Sequence, residues 1–529
     1  MPRRELIGRP AAPGVALGPL VRLGGAFVPR RTAGSADQER AALTAAIEAA
    51  VADLAELAEQ AGGDAAEILE FQIAMLEDEA LRDPALSAIA AGAAADAAWV
   101  ESLGFQVAEY EAAEDAYFQA RAADLRDLSE RVLRHLLGTA EEPAFPPGAI
   151  VLADDITPSR FLAADWREGG GIALGAGSKA SHVAMLARAR GVPMVVGLGP
   201  IAAEGHARAA LDGAAGRLWL SPDAADEARL AALAADAREA GRAAADVLHR
   251  PAVTASGQRV LVQINVADPS ELDGLDPALC DGIGLTRTEL CFPASGALPD
   301  EESQYGQYRR IVEWAAGRPV TIRTLDAGGD KPIAGLTVPG ESNPFLGLRG
   351  VRLSLVRPEV FSVQLRALAR AAVHGELKVM VPMITVPEEL EATRALLDAA
   401  MADLAARALP ARRPALGMMV EVPAAALAIE RFDAAFFSIG SNDLTQYVTA
   451  SARDIGAVAG LADVTNPAVL RLIAEVAAHG ARIGREVSLC GDAAGEVSLV
   501  PALLDAGITS LSMAPNAVGP VKAAIARYG

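Results

Sequence analysis

Eight short apolar runs recur between Val260 and Pro515: VLVQINV, GIGLTRTE, VTIRTLD, LKVMVPMI, ALGMMVEV, FFSIGSND, VSLCGD and SLSMAP. Nearly all are separated by segments of helix length, and eight strand and helix units in about 250 residues is the arithmetic of a parallel (β/α)8 barrel. An open doubly wound sheet is the alternative. The polar residues favour the barrel. The runs are apolar along the body and turn polar at the C-terminal end, at Asn265, Arg287, Arg323 with Asp326, Glu421, Asn442 with Asp443, and Cys490 with Asp492. In a barrel these ends converge on one face, where the active sites of this fold are built.

Converging arginines and carboxylates make a site for a polyanion and a metal. Arg287 and Arg323 offer planar forks of N–H donors that suit phosphate or carboxylate oxygens, and Arg349 and Lys331 lie in loops that would form an outer ring or a lid. Glu421 and Asp443 are hard oxygen ligands, too few for a calcium cage but enough for Mg2+ completed by substrate oxygens and waters. Either carboxylate could instead be paired to an arginine without a metal. Cys490 precedes Gly491 at a strand end and is either a buried filler or a proton donor to a carbanion or enolate.

The N-terminal half has a different texture. Ile7 to Leu23 reads as a strand with turns, and Asp37 to Leu137 is helical in pattern, with Leu43, Ile47, Val51 and Leu54 on one face and Trp99, Leu103, Val107 and Tyr110 on another. Gly62-Gly63 and Asp83-Pro84 are expected to break this block into antiparallel helices. Strand-like runs return at Ala149 to Ala153, Gly171 to Leu174, Pro193 to Gly197 and Arg217 to Leu220, so the helical block reads as an insertion into a small mixed domain. Within that domain, Gly177 to His182 sets a histidine after a glycine-rich turn and at the start of a helix-like stretch, a placement suited to a phosphoryl-carrying imidazole. Asp223 to Leu248 reads as a linker helix. The expected division is 1–24 with 144–222 as a phosphohistidine (swivel) domain, 25–143 as the helical subdomain, 223–252 as the linker and 253–529 as the barrel.

Composition excludes several classes. A length of 529 residues calls for two to four domains. No run approaches the roughly 20 apolar residues of a spanning helix, the first residues lack a signal-peptide core, and three cysteines do not make a disulfide framework, so a cytoplasmic location without membrane insertion is expected. A formal charge of −21 argues against nucleic acid as the main ligand and suits a basic protein partner, or serves solubility alone.

Taken together, ASHVAMLARARGVPMVVG around His182, GIGLTRTE, TIRTLDAGGDKP, NPFLGLRGVR, GMMVEVPAA, FFSIGSNDLTQY and LCGD make the whole chain resemble enzyme I of the bacterial phosphoenolpyruvate-dependent sugar phosphotransferase system. The resemblance implies an α/β fold with a C-terminal TIM barrel, a swivelling phosphohistidine domain and an all-helical carrier-binding subdomain. It implies a phosphotransferase that moves the phosphoryl group of phosphoenolpyruvate to His182 and then to a histidine of the phosphocarrier HPr, releasing pyruvate, as the first step of sugar uptake. On it, Arg287, Arg323, Arg349 and Arg453 bind the substrate's phosphate and carboxylate, Lys331 contacts it from a loop, Asn442 binds it, Glu421 and Asp443 hold Mg2+, and Cys490 protonates the enolpyruvate carbon. A homodimer through the barrel is implied as well, and the histidine must alternate between two domain arrangements. The departures are Lys179 and Ala180 before His182, Ala452 before Arg453, and an end at Gly529 soon after the eighth strand. A paralogue serving a nitrogen-regulatory or dihydroxyacetone system shares this chemistry, and a catalytically silent carrier-binding scaffold is the reading from another class.

Overall fold

The computed structural model describes residues 2–23, 31–61, 63–112, 116–138, 145–177, 181–201, 205–292, 298–329, 333, 335–338, 340–452 and 458–529. The chain falls into two units, Met1–Arg238 and Glu239–Gly529.

The first unit is built on eight strands: β1 (Arg4–Ile7), β2 (Arg9–Ala12), β3 (Val15–Arg22), β4 (Ile150–Ala153), β5 (Gly171–Leu174), β6 (Met194–Val196), β7 (Arg208–Asp212) and β8 (Arg217–Leu220). Their order across the sheet is β1-β8-β7-β3-β4-β5-β6-β2. Strands β3 to β6 run parallel, and antiparallel neighbours flank them on both sides. Ile7 to Leu23 therefore holds two strands, β2 and β3, after the last residue of β1, rather than one, because Pro13 and Gly14, the latter at φ 123°, turn the chain between β2 and β3. Strand β7 was not foreseen: RAALD is short, opens on an arginine and lacks the β-branched residues that announce a strand.

The adjacent parallel strands β3 and β4 are joined by five helices, α1 (Ala36–Ala61), α2 (Gly63–Glu77), α3 (Glu79–Ala90), α4 (Ala95–Ala112) and α5 (Ala116–Leu137). A parallel pair needs a crossover, and here the crossover is a helical block with its own core. Leu43, Leu54, Trp99 and Leu103 are fully buried in it. Trp99→Ala would cost about 3–5 kcal/mol by cavity formation. Pro84 does not break a helix, contrary to expectation. It lies in the second turn of α3, where one intrahelical bond is forfeited, and the interruption falls at Asp78, whose side chain accepts the Ala80 N–H at 2.9 Å. Gly62 lies outside the described residues. Asp127 on α5 ties the block to helix α6 (Pro158–Ala163), accepting the Ser159 hydroxyl at 2.6 Å and its N–H at 3.1 Å.

His182 is the first residue of helix α7 (His182–Arg190). Ser181 caps this helix, its hydroxyl accepting the Ala184 N–H at 3.3 Å, and Gly191 ends it in the left-handed conformation. Helix α8 (Ala224–Val247) spans the boundary between the two units.

The second unit is a closed barrel of eight parallel strands, β9 (Leu261–Val266), β10 (Ile283–Thr286), β11 (Val320–Arg323), β12 (Leu377–Val381), β13 (Ala415–Val420), β14 (Phe437–Gly440), β15 (Val487–Cys490) and β16 (Ser510–Met513), with β16 closing on β9. Each lies inside one of the eight sequence runs, and the doubly wound alternative is excluded by that closure. The strands are almost wholly buried because barrel interior and surrounding helices cover both faces. Several polar residues assigned to strand ends sit one step further on. Asn442 and Asp443 occupy the first turn of the helix Ser441–Thr449.

Candidate active site

The C-terminal ends of the barrel strands enclose a cavity of about 310 Å³ lined by Leu285, Arg287, Arg323, Met419, Glu421, Gly440, Asn442, Asp443, Cys490, Gly491 and Asp492. Strands β10, β11, β13, β14 and β15 each deliver a side chain at or just beyond their last residue, so a shared register converts sequence spacing into convergence. Of the expected site residues, Arg287, Arg323, Glu421, Asn442, Asp443 and Cys490 line this one space. Arg349 lies just behind it. Lys331 and Arg453 lie outside the described residues, and His182 belongs to the first unit.

The arginines differ in how they are held. Arg323 is buried, with Nη2 donating to both oxygens of Glu289 at 3.0 and 3.1 Å and Nη1 3.0 Å from Asp326 Oδ2. Burial works against its charge, but Glu289, Asp326 and Glu421 more than offset this, and the guanidinium stays protonated. Its Nε is buried without a partner among the described residues, a donor left for a ligand. Arg287 is half-buried, and its side chain has no hydrogen bond or ion pair among the described residues. Arg349 is 1% exposed and grips two carboxylates, Asp326 and Asp443. All its donors are committed here, so a substrate that reaches it displaces one of these partners or Tyr447.

Glu421 is 1% exposed, and Oε1 accepts the Met383 N–H at 2.6 Å. Met383 adopts φ 59°, a left-handed conformation that costs a non-glycine residue roughly 1–3 kcal/mol, and its N–H meets the carboxylate from that conformation. Gly440 leaves room on the other side, since a Cβ there would stand 2.9 Å from Glu421 Oε2. Burial, then Asp443 and Asp326, push the Glu421 carboxyl up to about 8. Among the described residues, five carboxylates, Glu289, Asp326, Glu421, Asp443 and Asp492, thus stand against three guanidiniums, Arg287, Arg323 and Arg349. A divalent cation fits this electrostatic deficit, and two hard oxygen donors suit Mg2+. Among the described residues no group of three or more His, Cys, Asp or Glu forms a protein cage, so the remaining ligands would come from substrate and water.

Cys490 is 2% exposed, with Ser438 Oγ donating to its sulfur at 3.6 Å and the sulfur 3.5 Å from the Ile439 carbonyl. Burial holds the thiol up at about 11, against the hydrogen bond from Ser438. A thiol so placed stays protonated at neutral pH and is a poor nucleophile. Cys280 and Cys291 are also buried and free, but neither lines the cavity. Gly491 follows at φ 101°, and a Cβ there would collide with Ser441 Oγ and lie 2.8 Å from Asn442 Oδ1. Only glycine lets the β15 end pass so close to Asn442, whose amide exchanges hydrogen bonds with Asp492 at 3.2 and 3.0 Å.

Glu289, Met383, Ser438 and Tyr447 join the site through contacts that the sequence pattern does not announce. All four stand inside the quoted motifs or strand runs, yet their part depends on contacts between elements that spacing along one run does not reveal.

Three family models tile the chain: PEP-utilising enzyme, N-terminal, at residues 7–121, PEP-utilising enzyme, mobile domain, at 145–216, and PEP-utilising enzyme, PEP-binding domain, at 242–529. The phosphoenolpyruvate-protein phosphotransferase of Geobacillus stearothermophilus is 36% identical over 93% of this chain and 88% of its own length. That of Bacillus subtilis is 33% identical over 99% and 94%. A multiphosphoryl transfer protein of Rhodobacter capsulatus is 36% identical over 98% of this chain and 64% of its own. With the barrel site and the helix-opening histidine both inside the matched segments, the chain belongs to the phosphoenolpyruvate-protein phosphotransferase family of PEP-utilising enzymes.

Proposed function

We propose that this protein transfers the phosphoryl group of phosphoenolpyruvate to His182 and then to a histidine of an HPr-type phosphocarrier, releasing pyruvate. The observation that carries this is the convergence of Arg287, Arg323, Glu421, Asn442, Asp443 and Cys490 on one cavity at the barrel mouth. Arg287 and the free Nε of Arg323 receive phosphate or carboxylate oxygens, and Asn442 orients the substrate from the opposite wall. Glu421 and Asp443 would hold Mg2+, which, when bound, neutralises phosphoryl oxygens. A neutral imidazole nitrogen of His182 forms the N–P bond as the bond from phosphorus to the enol oxygen breaks. The electron pair left on the enolate takes the Cys490 proton at carbon, giving pyruvate, and the thiolate then regains a proton from solvent.

In this reading residues 1–24 with 144–222 form the swivelling phosphohistidine domain, 25–143 the carrier-docking subdomain, 223–252 the linker and 253–529 the substrate-binding barrel, which pairs with a second copy. The acidic balance of the chain suits a basic carrier. No helix among the described residues is long and apolar enough to cross a membrane, in keeping with work in the cytoplasm. Labelled phosphoenolpyruvate tests the proposal: acid-labile label on the wild type, lost in His182→Ala and passed on to added HPr, is expected. An unlabelled wild type, or undiminished label on His182→Ala, overturns it.

A further inference from the structure

Arg349 has five N–H donors and uses all of them. Nε and Nη2 donate to Oδ1 and Oδ2 of Asp326, both at 3.0 Å. Nη1 and Nη2 donate to Oδ1 and Oδ2 of Asp443 at 3.1 and 3.0 Å, and Nη1 also donates to the Tyr447 hydroxyl at 3.2 Å. The guanidinium is therefore a flat plate with one carboxylate on each of two edges. Asp326 is fully buried, and its Oδ2 also lies 3.0 Å from Arg323 Nη1, so the far edge of the plate is anchored to the neighbouring strand end. Asp443, on the near edge, borders the cavity. Each of its oxygens spends one lone pair on Arg349 and keeps another, in a plane that the fork has fixed.

We propose that Asp326 is a positioning residue for the metal-holding carboxylate Asp443, acting through the Arg349 fork. This rests on the reading of Glu421 and Asp443 as the metal pair. Removing Asp326 leaves Arg349 with two idle donors and no anchor on its far edge. The guanidinium then follows Asp443 more closely and competes with a cation for its oxygens. The orienting partners of metal-bound groups commonly set affinity by about 10–100-fold, and the same range is expected here.

The test is Mn2+ binding to the full-length chain, read from the electron paramagnetic resonance signal of free Mn2+. Asp326→Asn should weaken binding about 10–100-fold. Arg349→Lys, which keeps every charge and removes only the fork, should weaken it comparably, and the double variant should be no weaker than the poorer single one. Arg349→Lys alone carries the test if Asp326→Asn does not fold. A dissociation constant for Asp326→Asn within twofold of wild type overturns the proposal. So do effects of the two substitutions that multiply, since Asp326 would then act only as a distant charge. Failure of the underlying metal reading has its own signature: a wild type without a Mn2+ site, or Glu421→Gln binding as wild type does.

Discussion

In the proposed reaction the barrel mouth and the start of helix α7 carry the two halves, and the two are organised by different contacts. At the barrel mouth, charge is held by charge. Glu289, Arg323, Asp326, Arg349 and Asp443 form an alternating chain of ion pairs, with Asp326 fully buried and Arg349 at 1% exposure. At α7 the reacting residue opens a helix of nine residues, and the contact that organises the helix start is the hydroxyl cap of Ser181. A donor pocket has to be preorganised, because its dipoles must face the developing charge before the reaction. A carrier residue has to be presented, because it serves two partners in turn. Buried ion pairs thus organise the barrel mouth, and a hydroxyl cap organises the start of α7.

The sharpest way to break this contrast is His182→Ala. Phosphoryl transfer should disappear, while binding of phosphoenolpyruvate to the barrel, followed by calorimetry, should stay within about twofold because no barrel group has changed. Loss of binding along with transfer would mean that the two halves are not separable.

Cys490→Ala comes next. Removing a positioned acid typically costs about 10²–10⁴-fold, and pyruvate formation in a single turnover should fall by that much. The thiol's behaviour sharpens the point. Because its folded value is raised to about 11 from 9.0, the stabilising contribution of the protonated thiol is intact below pH 9 and is lost as pH rises through 11, when the folded form also ionises. Alkylation at Cys490, mapped by mass spectrometry, should climb roughly tenfold per pH unit without a plateau below about pH 11. A plateau near pH 8 would show a reactive thiolate and remove the proton-donor role.

Arg323→Met tests the ion-pair chain itself. Losing a preorganised donor should lower kcat/KM for phosphoenolpyruvate by about 10²–10³. It also leaves Glu289 and Asp326 buried with one cation fewer, a stability loss of roughly 3–5 kcal/mol by chemical denaturation. A fully stable, inactive variant would mean that the pairs are not what holds the pocket.

The same contrast explains what could be read from the chain before its structure. The barrel was legible because a period of eight apolar runs with polar ends has few solutions, and Arg287, Arg323, Glu421 and Asp443 were legible because each stands in the polar C-terminal part of its run. Glu289 and Tyr447 leave no such sign although they sit in the same motifs, since a residue that grips another from a neighbouring element leaves no periodic trace. Met383 escaped for a different reason: its part is played by a backbone N–H in a left-handed turn, and side-chain identity says nothing of that. Strand β7 was missed because RAALD carries no β-branched signal and is stabilised by pairing with β3 and β8 on either side. In each case tertiary contact, not local preference, decided the outcome.

Ser181→Ala is the mildest change and the finest probe of how His182 is presented. The cap satisfies one of the orphan N–H groups of the first turn, and its loss should cost about 1 kcal/mol, felt locally at the start of α7. Hydrogen exchange at Ala184 should quicken about fivefold while the barrel amides are unchanged. Because His182 is the first helical residue, a frayed turn should slow phosphorylation, but only a few-fold. Ser181→Asp keeps an acceptor at the cap and should restore protection at Ala184. If it restores protection but slows transfer further, the added charge repels the phosphoryl group, and the serine is selected for neutrality as well as for capping. If Ser181→Ala instead abolishes transfer outright, the helix start is as tightly organised for reaction as the barrel mouth, and the contrast between the two regions fails.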